Sequence, residues 1–168
     1  MPAMVRVYLI RHAVAFDRDR KRWPDDRRRP LTPQGIKKFR KAAAGLKGIA
    51  DAAECVLTSP LTRARQTADI LAEVAGWPAP IEASELAPGR TPAQALALIR
   101  ARSEKCLALV GHEPNLSQLL AVSIAGPGAR LACEFKKGGV ACLTFATPRA
   151  GQASLEWLAT PKLLRSLG

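Results

Sequence analysis

The chain has 168 residues, 48% of them hydrophobic, with 26 Lys and Arg against 14 Asp and Glu for a formal net charge of +12. That length suits a single domain spanning 1–168 with a core that needs no staples, and no repeat, low-complexity tract or membrane-length apolar run is present. Four cysteines without a C-x-x-C pair, and only two histidines, give no zinc pattern and read as reduced thiols.

The N-terminus, Met1 to Ile10, is apolar but broken by Arg6 and lacks a signal-peptide core, so it reads as a first strand in a cytoplasmic protein. Within it Val5 to Ile10 is mostly apolar and β-branched, the pattern of a strand covered on both faces. A polar loop, Val14 to Pro30, follows and is long enough to predict a functional or mobile segment. Thr32-Pro33 opens a helix by cap and proline. Ile36, Phe39, Ala43 and Leu46 share one face of it, and Gly45 and Gly48 mark its end. A second strand covers Glu54 to Thr58. Ser59-Pro60 repeats the cap-and-proline start for a helix with Ala64, Thr67, Ala68, Leu71 and Ala75 on one face, ended by Gly76 and Pro78.

A third helix is expected from Pro92 to about Arg102 behind Thr91, and a third strand from Cys106 to Val110. Pro114-Asn115 begins a fourth helix that Gly126-Pro-Gly128 ends. Leu131 to Phe135 and Val140 to Phe145 flank Lys136-Lys-Gly-Gly139 as a hairpin, and Ala153 to Leu158 reads as one more strand. Helix-separated strands predict an α/β fold with a mostly parallel sheet and right-handed crossovers.

Both histidines stand at strand ends: His12 behind Arg11 after the first strand, His112 behind Gly111 after the third. The second strand runs into Ser59-Pro-Leu-Thr-Arg63. Ligands of open α/β sheets bind at the carboxyl ends of strands, so these pieces are predicted to converge. A neutral imidazole is a nucleophile towards phosphorus, and its ordinary pKa of about 6.5 leaves it largely unprotonated at neutral pH. Arginine forks bind phosphoryl oxygens bidentately, and Arg63 lies one turn into a helix whose N-terminus already favours an anion. An isolated Arg-His pair more often serves structure; three such pieces at three strand ends point to phosphoryl transfer.

Charge is uneven. Phe16 to Lys41 holds eleven basic residues against four aspartates, a field that attracts anionic partners. Nucleic acid is not the expected partner, because only Phe16, Trp23 and Phe39 stand near that segment to stack on bases.

Leu9-Ile-Arg-His12, Arg29-Pro-Leu-Thr32 with Gly35, Thr58-Ser-Pro-Leu-Thr-Arg-Ala-Arg-Gln-Thr67 and Val110-Gly-His112 resemble the histidine phosphatase superfamily. The Arg-Pro-Leu-Thr block and Glu85-Leu-Ala-Pro88 are most similar to its SixA-type phosphohistidine phosphatases. The resemblance runs from Val5 to about Leu163. It implies a three-layer phosphoglycerate-mutase-like fold, with a mostly parallel central sheet flanked by helices. It implies His12 as the phosphorylated nucleophile, with Arg11, Arg63, His112 and Arg29 around the phosphoryl group, and neither metal nor cofactor.

Two departures stand out. Ala13 replaces the family's glycine after Arg-His, and Pro88 occupies the place of the glutamate acid of the mutases and many phosphomonoesterases. Glu85 and Glu113 are the candidate substitutes. An alkoxide leaving group needs a positioned proton donor, whereas imidazole or phosphate leaves more readily. The expected substrate is therefore an activated donor, phosphohistidine on a protein or a phosphoanhydride. The basic loop would steer an acidic phosphotransfer domain or a polyanionic phosphate towards the site. The alternatives are a phosphatase for small phosphate esters, nucleotides or polyphosphate, and a non-catalytic polyanion-binding module.

Overall fold

The computed structural model describes residues 4–168, so the Met1 to Ala3 part of the expected first strand lies outside it. Six strands, β1 (Val5–Arg11), β2 (Cys55–Thr58), β3 (Ile81–Glu82), β4 (Cys106–Gly111), β5 (Val140–Phe145) and β6 (Ala153–Ala159), form one sheet. Their order is β3-β2-β4-β1-β5-β6. The first four are mutually parallel, and β5 and β6 continue the sheet antiparallel. Five helices accompany them: α1 (Pro33–Ile49), α2 (Thr62–Ile70), α3 (Pro92–Arg100), α4 (Asn115–Ala125) and α5 (Pro161–Leu167).

Alternation along β1 builds the layers. Tyr8 and Ile10 face a cluster with Phe39 and Leu46 of α1, Ala64 and Ala68 of α2, and Leu164 of α5. Val5, Val7 and Leu9 face a second cluster with Leu96 and Ile99 of α3 and Leu116 and Leu120 of α4. The central sheet is thus covered on both faces, which explains the near-continuous apolar runs of β1 and β4. All four cysteines are free; Cys55 and Cys142 are buried, while Cys106 and Cys133 are partly exposed. Among the described residues, no helix is long and apolar enough to cross a membrane.

The parallel core brings the carboxyl ends of β1, β2 and β4 side by side. The His12 N–H donates to the Gly111 carbonyl at 3.1 Å, and the Ser59 N–H to that of Val110 at 2.9 Å. The Thr32 N–H and Gly35 tie α1 to the same end: Thr32 N donates to the Val14 carbonyl, and a Cβ at Gly35 would fall 2.1 Å from that oxygen. Only glycine permits this approach.

Several expectations fail for physical reasons. Leu131 to Phe135 is not a strand. Both edges of β5 are already taken, by β1 and β6, so no partner remains for a hairpin. Gly45 and Gly48 do not end α1, which runs to Ile49. Gly45 instead admits α5, since a Cβ there would meet the Leu164 carbonyl oxygen at 1.9 Å. Ser59 does not cap α2; that helix starts at Thr62 with no side-chain cap, and Ser59 serves the site described next. The two-residue β3 and the helix α5 are additions. α5 repeats the threonine-proline start at Thr160-Pro161, where the Thr160 side chain accepts from the Leu163 N–H.

The Val14 to Pro30 loop is pinned rather than free. Ala15 bridges Leu31, the Phe16 N–H donates to the Pro30 carbonyl, and Asp26–Arg28 forms a 3-10 turn. Asp19 and Asp25 accept backbone N–H groups within it, so these carboxylates are spent on turn geometry.

Candidate active site

His12, Arg11, Arg29, Arg63 and His112 line one cavity of about 270 Å³, at the ends of β1 and β4 and the first turn of α2. The two imidazole centroids are 5.2 Å apart. Both rings are buried, as are Arg63 and Arg29. The sequence expectation that separated segments converge here therefore holds for all five.

Each side chain is held by a specific partner. His12 Nδ1 lies 2.7 Å from the Ala13 carbonyl oxygen, which can only accept, so Nδ1 carries the proton and Nε2 the lone pair. Arg11 Nη1 donates to the Phe135 carbonyl at 2.5 Å. Arg63 Nη1 donates to the Asp26 carbonyl at 3.0 Å, and its Nη2 lies 3.2 Å from Asp26 Oδ2. Arg29 Nε donates to Asp26 Oδ1 at 2.8 Å and its Nη1 to the Phe16 carbonyl at 2.5 Å. Asp26 is thus the clamp that aligns two guanidinium groups. The hydrogen bond from Arg29, with help from Arg63, holds its carboxyl below the usual range.

Thr67 ties this end of α2 to β1, accepting from the Ala13 N–H at 3.0 Å and donating to the Arg63 carbonyl at 2.7 Å. The Lys136-Lys-Gly-Gly139 turn closes the opposite side. Gly138 N–H is shared between the carbonyls of Arg11 and His12, and Lys137 joins the cavity wall. Neither Asp26 nor Lys137 stood out in the sequence. The first sits in a charged loop and the second in a turn, and only the fold aims them here.

The candidate acids part company. Glu113 lines the cavity, with its Oε1 accepting the Ser117 N–H at 2.9 Å. Glu85 is absent from that lining, and Pro88 of the adjoining segment stands there instead. Asn115 Nδ2 pins that segment by donating to the carbonyls of Ala87 and Arg90. Asp17 and Arg18 complete the rim, so the cations Arg11, Arg18, Arg29, Arg63 and Lys137 outnumber the two carboxylates.

Burial pushes the His12 imidazole down to about 3; Arg63, Arg11 and Lys137 add to the depression, and the Ala13 carbonyl opposes it. Burial likewise lowers His112 to about 3, with His12, Arg63 and Arg11 reinforcing it. Both rings are therefore neutral throughout the physiological range, and His12 keeps its lone pair available. Arg11 Nε, Arg63 Nε and His112 Nδ1 are buried with no hydrogen-bond partner among the described residues. Buried polar atoms rarely stay unpaired. All three belong to residues that line this cationic cavity, a setting that suits an oxyanion.

The depressed imidazoles make stability depend on pH. As pH falls below about 6.5 an unfolded chain protonates both rings, while the folded chain resists until about 3. The unfolded state then binds more protons, so stability drops on acidification, by up to about 1.4 kcal/mol per pH unit for each ring. The slope halves at about 6.5 and fades over roughly the next pH unit. Urea unfolding at pH 7 and pH 5 checks this. A midpoint unchanged between those values, or falling equally in a His12→Gln, His112→Gln protein, would contradict the buried neutral pair.

The sequence pattern of the Histidine phosphatase superfamily (branch 1) matches residues 7–87. An uncharacterized protein of Picosynechococcus sp. is 35% identical over 156 residues, covering 90% of this chain and 89% of its own. Among solved structures, that of the protein histidine phosphatase SixA complexed with tungstate is 26% identical, with a TM-score of 0.82 over 94% of this chain and 98% of that one. A SixA structure from Agrobacterium tumefaciens is 25% identical, with a TM-score of 0.76 over 94% and 98%.

Proposed function

We propose that this chain, which belongs to the histidine phosphatase superfamily and is of the SixA type, hydrolyses phosphohistidine on a protein through a phosphoryl group carried on His12. The observation that carries the reading is the His12 ring itself. Its Nδ1 proton is committed to the Ala13 carbonyl, so the bare Nε2 is the nucleophile.

In the first step the Nε2 lone pair attacks phosphorus, an N–P bond forms, and the bond to the donor nitrogen breaks. That imidazole nitrogen leaves with the electron pair and takes a proton. Arg11, Arg63, Arg29 and His112 bind the equatorial oxygens, where charge stabilisation supplies most of the catalysis. In the second step water attacks phosphorus, the N–P bond breaks, and orthophosphate departs as His12 regains its lone pair. Guanidinium groups supply the charge compensation that a metal ion gives elsewhere, so the reading is metal-independent. It also treats residues 1–168 as one catalytic domain in the cytoplasm.

Substrate class follows from the acid. By the resemblance, Pro88 takes the place of the glutamate carried by the mutases and many phosphomonoesterases of the family, and Asp17 and Glu113 are the carboxylates that line the cavity. Of these, Glu113 already has its Oε1 engaged by the Ser117 N–H. A leaving imidazole needs less help than an alkoxide. Turnover of phosphoramidate or a phosphohistidine peptide is expected to exceed that of glycerol phosphate by about 10² to 10⁴ in kcat/KM, the usual worth of a general acid. Comparable rates on both would remove the phosphohistidine assignment while leaving a phosphatase.

A further inference from the structure

We infer that Ser59 is a positioning residue that fixes His112 in its Nδ1–H tautomer, turning that ring into a neutral hydrogen-bond donor for the transferring phosphoryl group. The second half of this statement rests on the reading above; the tautomer does not.

Ser59 is fully buried where β2 gives way to α2. Its Oγ lies 2.8 Å from His112 Nε2. The same oxygen accepts the Leu61 N–H at 3.3 Å. A backbone N–H can only donate, so one lone pair of the hydroxyl is taken. Two arrangements remain. Were His112 protonated on Nε2, Ser59 would accept twice, and its own proton would have no acceptor among the described residues. A buried hydroxyl proton left unpaired costs about 1–3 kcal/mol. With Ser59 donating to a bare Nε2, all three groups are satisfied and the ring proton moves to Nδ1.

The remaining atom points the same way. His112 Nδ1 is buried with no partner among the described residues, on a ring whose centroid is 5.2 Å from that of His12. A lone pair there would repel an oxyanion held between the rings; an N–H binds it. The geometry supplies this donor without adding positive charge beside the arginines, so it does not compete with them for protons. Nothing in the sequence separates this role from helix capping, because Ser-Pro is also a common helix start.

The chain has two histidines, which makes the test direct. Nitrogen-15 NMR of the histidine-labelled protein at pH 7 distinguishes protonated from bare ring nitrogens. Both rings are expected in the Nδ1–H form, His12 through Ala13 and His112 through Ser59. This reading needs no substrate and no variant. A His112 signal in the Nε2–H form overturns the proposal whatever the enzyme does.

Ser59→Ala is expected to release His112 into a mixture of tautomers and to lower kcat by about 10²-fold, at the lower end of the loss seen for one oxyanion donor. Ser59→Cys, with a weak donor of similar shape, should recover part of both. A folded Ser59→Ala protein with an unchanged His112 tautomer, or with wild-type kcat on phosphoramidate, overturns it as well. If the wild-type protein shows the expected tautomer but turns over no phosphoryl donor, the hydrogen-bond assignment stands and the function fails.

Discussion

A His12→Ala protein is expected to lose about four orders of magnitude or more in kcat on phosphoramidate, the scale on which removal of a covalent nucleophile acts. The loss should fall on chemistry rather than binding, because Arg11, Arg29 and Arg63 keep their own partners without the ring. The backbone at residue 12 also keeps its bond to Gly111, so the strand end stays in place. Rapid-quench kinetics and an unchanged urea midpoint at pH 7 would establish both points. Activity within tenfold of wild type would mean that phosphorus never bonds to this imidazole.

The second large effect is at Arg63. Its guanidinium is held on one side by Asp26 and leaves Nε unpaired, in a cavity where burial and neighbouring Arg29 already make its charge costly. That cost is offset when a phosphoryl dianion enters. Arg63→Ala is expected to reduce kcat/KM by about 10³-fold or more, in line with arginines that stabilise transferring phosphoryl groups. Arg63→Lys should rescue little, because a compact ammonium cannot span Asp26 and an oxyanion as a planar fork does. The fold should survive, since Asp26 retains Arg29. A lysine variant within threefold of wild type would show that only net charge matters here.

Much of this site is legible in the sequence. Strand ends carry readable punctuation: an apolar run, then Arg11-His12 or Gly111-His112, then a polar break. Parallel topology does the rest, since all parallel strands point their carboxyl ends the same way. Threonine-proline starts locate α1 and α3 because the capping chemistry is local, and the same signal opens α5 at Thr160-Pro161.

What failed depended on partners far away in the chain. Leu131 to Phe135 has a strand-like composition, but strand formation needs a free edge, and β6 had taken it. Gly45 looks like a helix stop in one dimension and proves to be a seat for α5 in three. Ser59 reads as a cap until His112, 53 positions later, claims its hydroxyl. Asp26 was one aspartate in a charged loop, and its pairing with two arginines exists only after the loop folds over α2.

The atom that bonds to phosphorus decides the mechanism. Wild-type protein mixed with labelled phosphoramidate, quenched in alkali within milliseconds and digested, should yield one labelled peptide containing His12. Its phosphorus should be bonded to Nε2, as phosphorus-31 NMR of the peptide can distinguish, and the label should be stable in base and lost in acid. Label on Nδ1, on His112 or on any other residue, or full turnover with no trapped phosphoenzyme at any time point, would contradict it.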